Sequence, residues 1–107
     1  MIPKGSRLPH EEFRARGYRN IATPYFSLKI KKNLLGINRV GIVIGAMTIK
    51  SAVRRNFLRR QVRTIFSEIS PIGIDFLMIA RPHQGRPTKS DIKKSLRDAI
   101  SPLLVNL

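Results

Sequence analysis

The sequence predicts an α+β sandwich, with helices laid over a small sheet in the order α-β-β-α-β-α. Three observations carry this expectation. Two segments repeat apolar residues at helical spacing, Leu58, Val62, Ile65, Phe66 and Ile69 in one and Ile92, Leu96, Ala99, Ile100 and Leu103 in the other. Three short segments rich in β-branched and aromatic residues lie around them. Turn residues separate every pair of segments, and no repeat or low-complexity linker divides the 107 residues, so 1–107 reads as a single domain.

Met1 to Pro9 holds two prolines and a glycine and is expected to be an irregular arm. His10 to Arg16 reads as a short helix with Phe13 as its one large apolar side chain and Gly17 as its stop. Tyr25 to Lys31 alternates as a strand, with Phe26, Leu28 and Ile30 on one face and Tyr25, Ser27, Lys29 and Lys31 on the other. Asn33 to Asn38, with Gly36, makes a hairpin loop. Arg39 to Gly45 is almost entirely apolar and is therefore placed inside the sheet. A helix from Ser51 to Ile69 ends before Pro71 and Gly73, and Ile74 to Ala80 follows as a buried strand. His83 to Pro87 is a loop. Thr88 caps a last helix running to about Leu104.

Composition narrows the function. The chain has 21 Lys and Arg against 6 Asp and Glu, a formal charge of +15, and 42% hydrophobic residues, enough for a folded core. Such a surface attracts polyanions, with nucleic acid and anionic lipid both satisfying the sign. The absence of cysteine excludes a disulfide framework and a thiol nucleophile. No apolar run approaches the ~20 residues of a membrane span, and no apolar stretch follows Lys4 and Arg7, so the expectation is a cytoplasmic protein without a membrane partner.

The charge is concentrated. Arg54 to Arg63 holds five arginines, and no acidic residue lies between Lys50 and Ser67 to pair with them along the helix. On a helical wheel Asn56, Arg59, Arg60 and Arg63 share an arc opposite the apolar stripe, and Ala52 joins it as a small residue that lets a ligand backbone approach. Lys50 leads into this helix, and Arg54 and Arg55 lie in its first turn, nearer the core sector. Guanidinium forks suit phosphate oxygens. A solvated face is the plain alternative, but unpaired like charges cost stability that a bound polyanion offsets. A membrane-lying helix would need the apolar stripe that the domain requires for its own core.

The segment Lys50-Ser51-Ala52-Val53-Arg54-Arg55-Asn56-Phe57-Leu58-Arg59-Arg60-Gln61-Val62-Arg63 resembles the signature helix of the bacterial ribonuclease P protein subunit, approximately A-V-x-R-N-R-x-K-R-x-x-R. It matches at Ala52, Val53, Arg55, Asn56, Arg60 and Arg63, with Arg59 in the place of lysine. Arg7-Leu8 with Glu12-Phe13, the strand start Arg39-Val40-Gly41, and Asp75-Phe76-Leu77-Met78-Ile79-Ala80-Arg81-Pro82 are similar to the family in the same order, so the resemblance spans about residues 7–104.

The resemblance implies the ribosomal protein S5 domain 2-like α+β sandwich, with a left-handed βαβ crossover through the arginine helix. It implies a single RNA-binding domain whose partners are the catalytic RNA of ribonuclease P and precursor tRNA, with Mg²⁺ held through the RNA subunit. Lys50, Ala52, Arg54, Arg55, Asn56, Arg59, Arg60 and Arg63 would then meet RNA. Phe13 matches an aromatic position of the cleft for the single-stranded 5′ leader. The family's cleft strand is partly aromatic, which points to Phe26 and Leu28; ordinary core packing, with Tyr25, Lys29 and Lys31 facing the leader instead, stands beside that reading. The chain departs from the family where Phe57 replaces an arginine and Ala46-Met47 a lysine pair. It also lacks the second ring of the family's F-x-x-x-F pair, for which Tyr18 is a loose substitute.

A basic RNA-binding or ribosomal protein with no part in cleavage is the alternative reading. A stand-alone nuclease is disfavoured because Glu11, Glu12, Glu68, Asp75, Asp91 and Asp98 form no ligand-spaced cluster and His10 and His83 are isolated. Asp75 is expected to be a turn or capping residue, and Gly41 and Gly45 to mark close packing.

Overall fold

A computed structural model describes residues 7–14, 16–82 and 87–105, with side chains as far as Ser101. A 3₁₀ helix, His10–Arg14, is followed by β1 (Arg19–Ala22), β2 (Phe26–Lys32), β3 (Arg39–Val43), α1 (Ala52–Ser67), β4 (Ile74–Ala80) and α2 (Lys89–Val105). The four strands form one sheet in the order β1-β2-β4-β3. β1, β2 and β4 pair antiparallel, whereas β3 and β4 run parallel. Parallel neighbours cannot be joined by a tight turn, and α1 is the crossover between them.

One face of the sheet is the core. Phe26, Leu28 and Ile30 of β2, Val40 of β3 and Ile74, Phe76, Met78 and Ala80 of β4 pack beneath Leu58, Val62, Ile65 and Phe66 of α1 and Ile92, Leu96 and Ile100 of α2. The apolar stripes expected for both helices are therefore their buried faces; Ile69 and Ala99 lie partly buried at the margin. Caps fix where the helices begin. The Ser51 hydroxyl accepts the Arg54 N–H at 3.2 Å, and Thr88 and Asp91 exchange reciprocal bonds of 2.9 and 3.2 Å at the start of α2.

Four expectations require correction. The short strand β1 was not expected: Arg19-Asn20-Ile21-Ala22 carries one large apolar residue, and only its ladder to β2 makes it a strand. The observed order is thus 3₁₀-β-β-β-α-β-α. β3 is an edge strand and not an interior one; its outer side is met by the arm, where Arg7 bridges Val40 and the Leu8 N–H donates to the Val40 carbonyl at 3.1 Å. Residues 7–8 of the supposedly irregular arm are accordingly bound to the sheet, with Leu8 buried. Asp75 is neither a turn nor a cap. It lies inside β4 and fully buried, gripped by Arg39 through bonds of 2.8 and 2.7 Å and by the Asn33 amide at 2.8 Å. Residues 83–86 of the His83 loop and residues 1–6 of the arm fall outside the described residues, as do the Leu103 and Leu104 side chains.

Candidate nucleic-acid interface

The second sheet face is shaped by register. Side chains paired across strands share a face, which sets Lys31, Asp75 and Arg39 in one row, Lys29, Leu77 and Gly41 in the next, and Ser27, Ile79 and Val43 in the third. This face is only partly covered. The 3₁₀ helix crosses it and is held by Glu12, whose carboxylate lies 3.3 Å from the Lys31 ammonium. The Tyr18 hydroxyl donates to the Glu12 carbonyl at 2.9 Å, and Lys31 sits 5.0 Å from the Tyr18 ring centre. Burial, with the negative charges of Asp75 and Glu12, pushes the Tyr18 phenol above its usual range. Tyr18 is therefore a brace for the 3₁₀ helix.

Phe26 and Leu28 do not line this face. Both are fully buried against the helices, so they belong to the core, as the open alternative for this strand allowed. Burial of such a side chain contributes roughly 1.5–3 kcal/mol, which exposure in a cleft would forfeit. The residues that β2 turns to the open face are Ser27, Lys29 and Lys31, all partly exposed.

Phe13 does reach the open face. It rests on Gly41, where a β-carbon would lie 2.6 and 2.7 Å from two of its ring carbons and 3.2 Å from Leu77. Glycine at position 41 is what lets the ring settle onto the strand. Beside it opens a groove of about 340 Å³ lined by Arg7, Leu8, His10, Phe13, Val40, Gly41, Ile42 and Arg63. The groove joins two features far apart in sequence: the aromatic residue of the 3₁₀ helix and the last arginine of α1.

The arginines of α1 divide by environment. Asn56, Arg60, Arg63 and Ala52 are exposed, and Arg59 is partly exposed with its guanidinium 3.5 Å from the Asn56 side-chain oxygen Oδ1. The guanidinium groups of Arg60 and Arg63 have no hydrogen-bond or ion-pair partner among the described residues. Arg55 and Arg54 are engaged with their own chain. Arg55 donates to the Ile49 and Lys50 carbonyls at 2.8 and 2.9 Å, holding the segment that leads into the helix. Arg54 donates to the Pro87 carbonyl at 3.2 Å and lies 4.8 Å from the centre of the Phe57 ring. Phe57, standing where the family has arginine, thus packs against the core and carries a guanidinium on its outer side. Lys50, Ala46 and Met47 are exposed. Among the described residues no group of three or more His, Asp or Glu is placed to hold a metal ion, and no helix is long and apolar enough to cross a membrane.

The sequence model of the ribonuclease P family matches residues 6–103. The chain belongs to that family. That family acts in tRNA processing, together with an RNA subunit. The ribonuclease P protein component of Marinobacter nauticus is 30% identical over 102 residues, covering 91% of this chain and 77% of that protein. The component of Levilactobacillus brevis is 41% identical over 61 residues, 54% of this chain and 51% of its own length. Among solved structures, the ribonuclease P protein of Thermotoga maritima superposes with a TM-score of 0.63 at 26% identity, over 94% of this chain and 96% of that one. That of Staphylococcus aureus superposes at 0.79 over the same shares, and at 24% identity it speaks for the fold. Of the residues on this face, sequence reasoning missed His10, read there as an isolated histidine. Lys29 lies on the strand face that the alternative reading named, and Gly41 marks close packing as expected.

Proposed function

We propose that this chain is the non-catalytic protein subunit of ribonuclease P, binding the catalytic RNA through α1 and the 5′ leader of precursor tRNA through the open sheet face. One observation carries the reading: Arg63, on the exposed arc of α1 with Arg60, lines the same groove as Phe13. Phosphate recognition and ring stacking are thereby joined on one continuous surface.

The chain's own contribution is binding and charge screening. Arg60 and Arg63 present donors to phosphate oxygens, and Lys29 faces the strand path across the sheet. Bringing two RNAs together costs phosphate repulsion, which a domain of charge +15 offsets. Cleavage chemistry, with its Mg²⁺, belongs to the RNA subunit. Reconstitution tests this. The protein mixed with ribonuclease P RNA and precursor tRNA at low Mg²⁺ is expected to stimulate 5′-leader removal and to cut nothing alone. Cleavage by protein alone would assign a nuclease. Tight RNA binding without stimulation would assign the other reading, a basic RNA-binding protein outside cleavage.

A further inference from the structure

We infer that His10 supplies a second stacking ring in the groove and binds a nucleobase together with Phe13; this deepens the leader-binding reading and rests on it. The two rings are stacked, with centroids 5.0 Å apart and planes 30° from parallel. Phe13 is half-buried because one edge lies on Gly41, whereas His10 is exposed. Phe13 thus stands with one edge seated on the strand, and His10, stacked against its face, is the exposed member of the pair and lines the groove.

Both rings line the groove that Arg7 and Arg63 also line, and neither guanidinium has a hydrogen-bond or ion-pair partner among the described residues. Flat rings flanked by guanidinium groups match the two halves of a nucleotide, the base by stacking and the phosphate by charge-assisted hydrogen bonds. His10 precedes Phe13 by three residues on a 3₁₀ helix, where residues three apart eclipse one another, so the local geometry itself holds the rings in register. That pre-ordering removes part of the entropy cost of fixing a side chain on binding. Every base has a π-face, so the subsite accepts any base of a single strand and excludes duplex, whose bases are already stacked.

The test uses the full chain assembled with ribonuclease P RNA, and measures affinity for precursor tRNA with a short single-stranded leader and for the same tRNA without one. His10→Leu, which covers Phe13 but has no ring, is expected to weaken binding of the leader-bearing RNA about tenfold, the scale of one base stack. Binding of leaderless RNA is expected to stay unchanged, and His10→Phe should keep the parent's affinity for both. Parental affinity in His10→Leu, equal losses on both RNAs, or a loss in His10→Phe matching that in His10→Leu would each overturn the assignment. Phe13→Ala separates the two levels of the argument. If it removes the leader preference and His10→Leu does not, the His10 subsite alone is wrong. If Phe13→Ala leaves the preference intact, the leader-binding reading itself fails.

Discussion

Phe13 and Gly41 are in direct contact across the open face, the ring of one seated where the other lacks a side chain. That contact sets the floor and one wall of the groove. Gly41→Ala would place a carbon 2.6 Å from the ring, so either the 3₁₀ helix lifts or the strand shifts. We expect a stability loss of about 1–3 kcal/mol from overpacking, with weaker binding of leader-bearing RNA. Urea denaturation and an RNA titration check both. Parental stability together with parental affinity would show that Phe13 is free to move away at no cost.

Asp75 gives the fold a pH dependence. Burial pushes its carboxyl up, but the Arg39 and Asn33 hydrogen bonds and the charges of Arg39 and Lys31 outweigh burial and hold it below the ordinary carboxylate range. A group lowered in the folded state adds stability in full above its unfolded value of about 3.9, and that stability is lost as pH falls through the folded value. Asp75→Asn should therefore be less stable than the parent at neutral pH, with the gap closing below about pH 4. A gap that is constant from pH 7 to pH 2 in urea midpoints would show that the pair does not titrate with folding. Asp75→Ala, which leaves the Arg39 guanidinium unmatched, should cost about 3 kcal/mol.

Arg60→Ala and Arg63→Ala should leave the melting temperature within error, because both side chains point to solvent and hold no partner among the described residues. Each is expected to weaken RNA binding and to flatten the salt dependence of log K by about 0.7–0.9, the share of one phosphate contact. Unchanged affinity and slope at matched salt in both variants would remove α1 from the interface.

Ser51→Ala tests whether helix stability and RNA contact are separable. Loss of the cap on Arg54 N–H should cost about 1 kcal/mol, seen as a lower urea midpoint. The salt slope of RNA binding should not change, since no phosphate-contacting group is removed. A flattened slope would place Ser51 itself on the RNA.

The helices and the central strand were legible because each carries a complete local signal. α1 has an apolar stripe, a serine cap and a following Pro71; β4 has seven residues with no breaker and, like β2, a neighbouring strand on each side. β1 was not legible, since its four residues become a strand only by pairing with β2. The edge position of β3 was hidden for a related reason: its apolar content answers to the core on one face and to Phe13 on the other, which resembles interior burial. Alternation split β2 correctly into two faces but could not say which one met the helices, and so Phe26 and Leu28 were drawn toward the cleft. The partnership of Asp75 with Arg39 is set by the parallel register of β3 and β4, which no local pattern encodes. The arginine arc needed only helical periodicity, and it was visible throughout.

The central claim is that the groove shared by Phe13 and Arg63 holds the leader, and a double-mutant cycle between Phe13→Ala and removal of the leader measures it most directly. With the assembled enzyme, Phe13→Ala is predicted to weaken binding of leader-bearing precursor tRNA about tenfold, the scale of one lost base stack, and to leave binding of leaderless tRNA unchanged. An equal effect of Phe13→Ala on both RNAs would contradict the account.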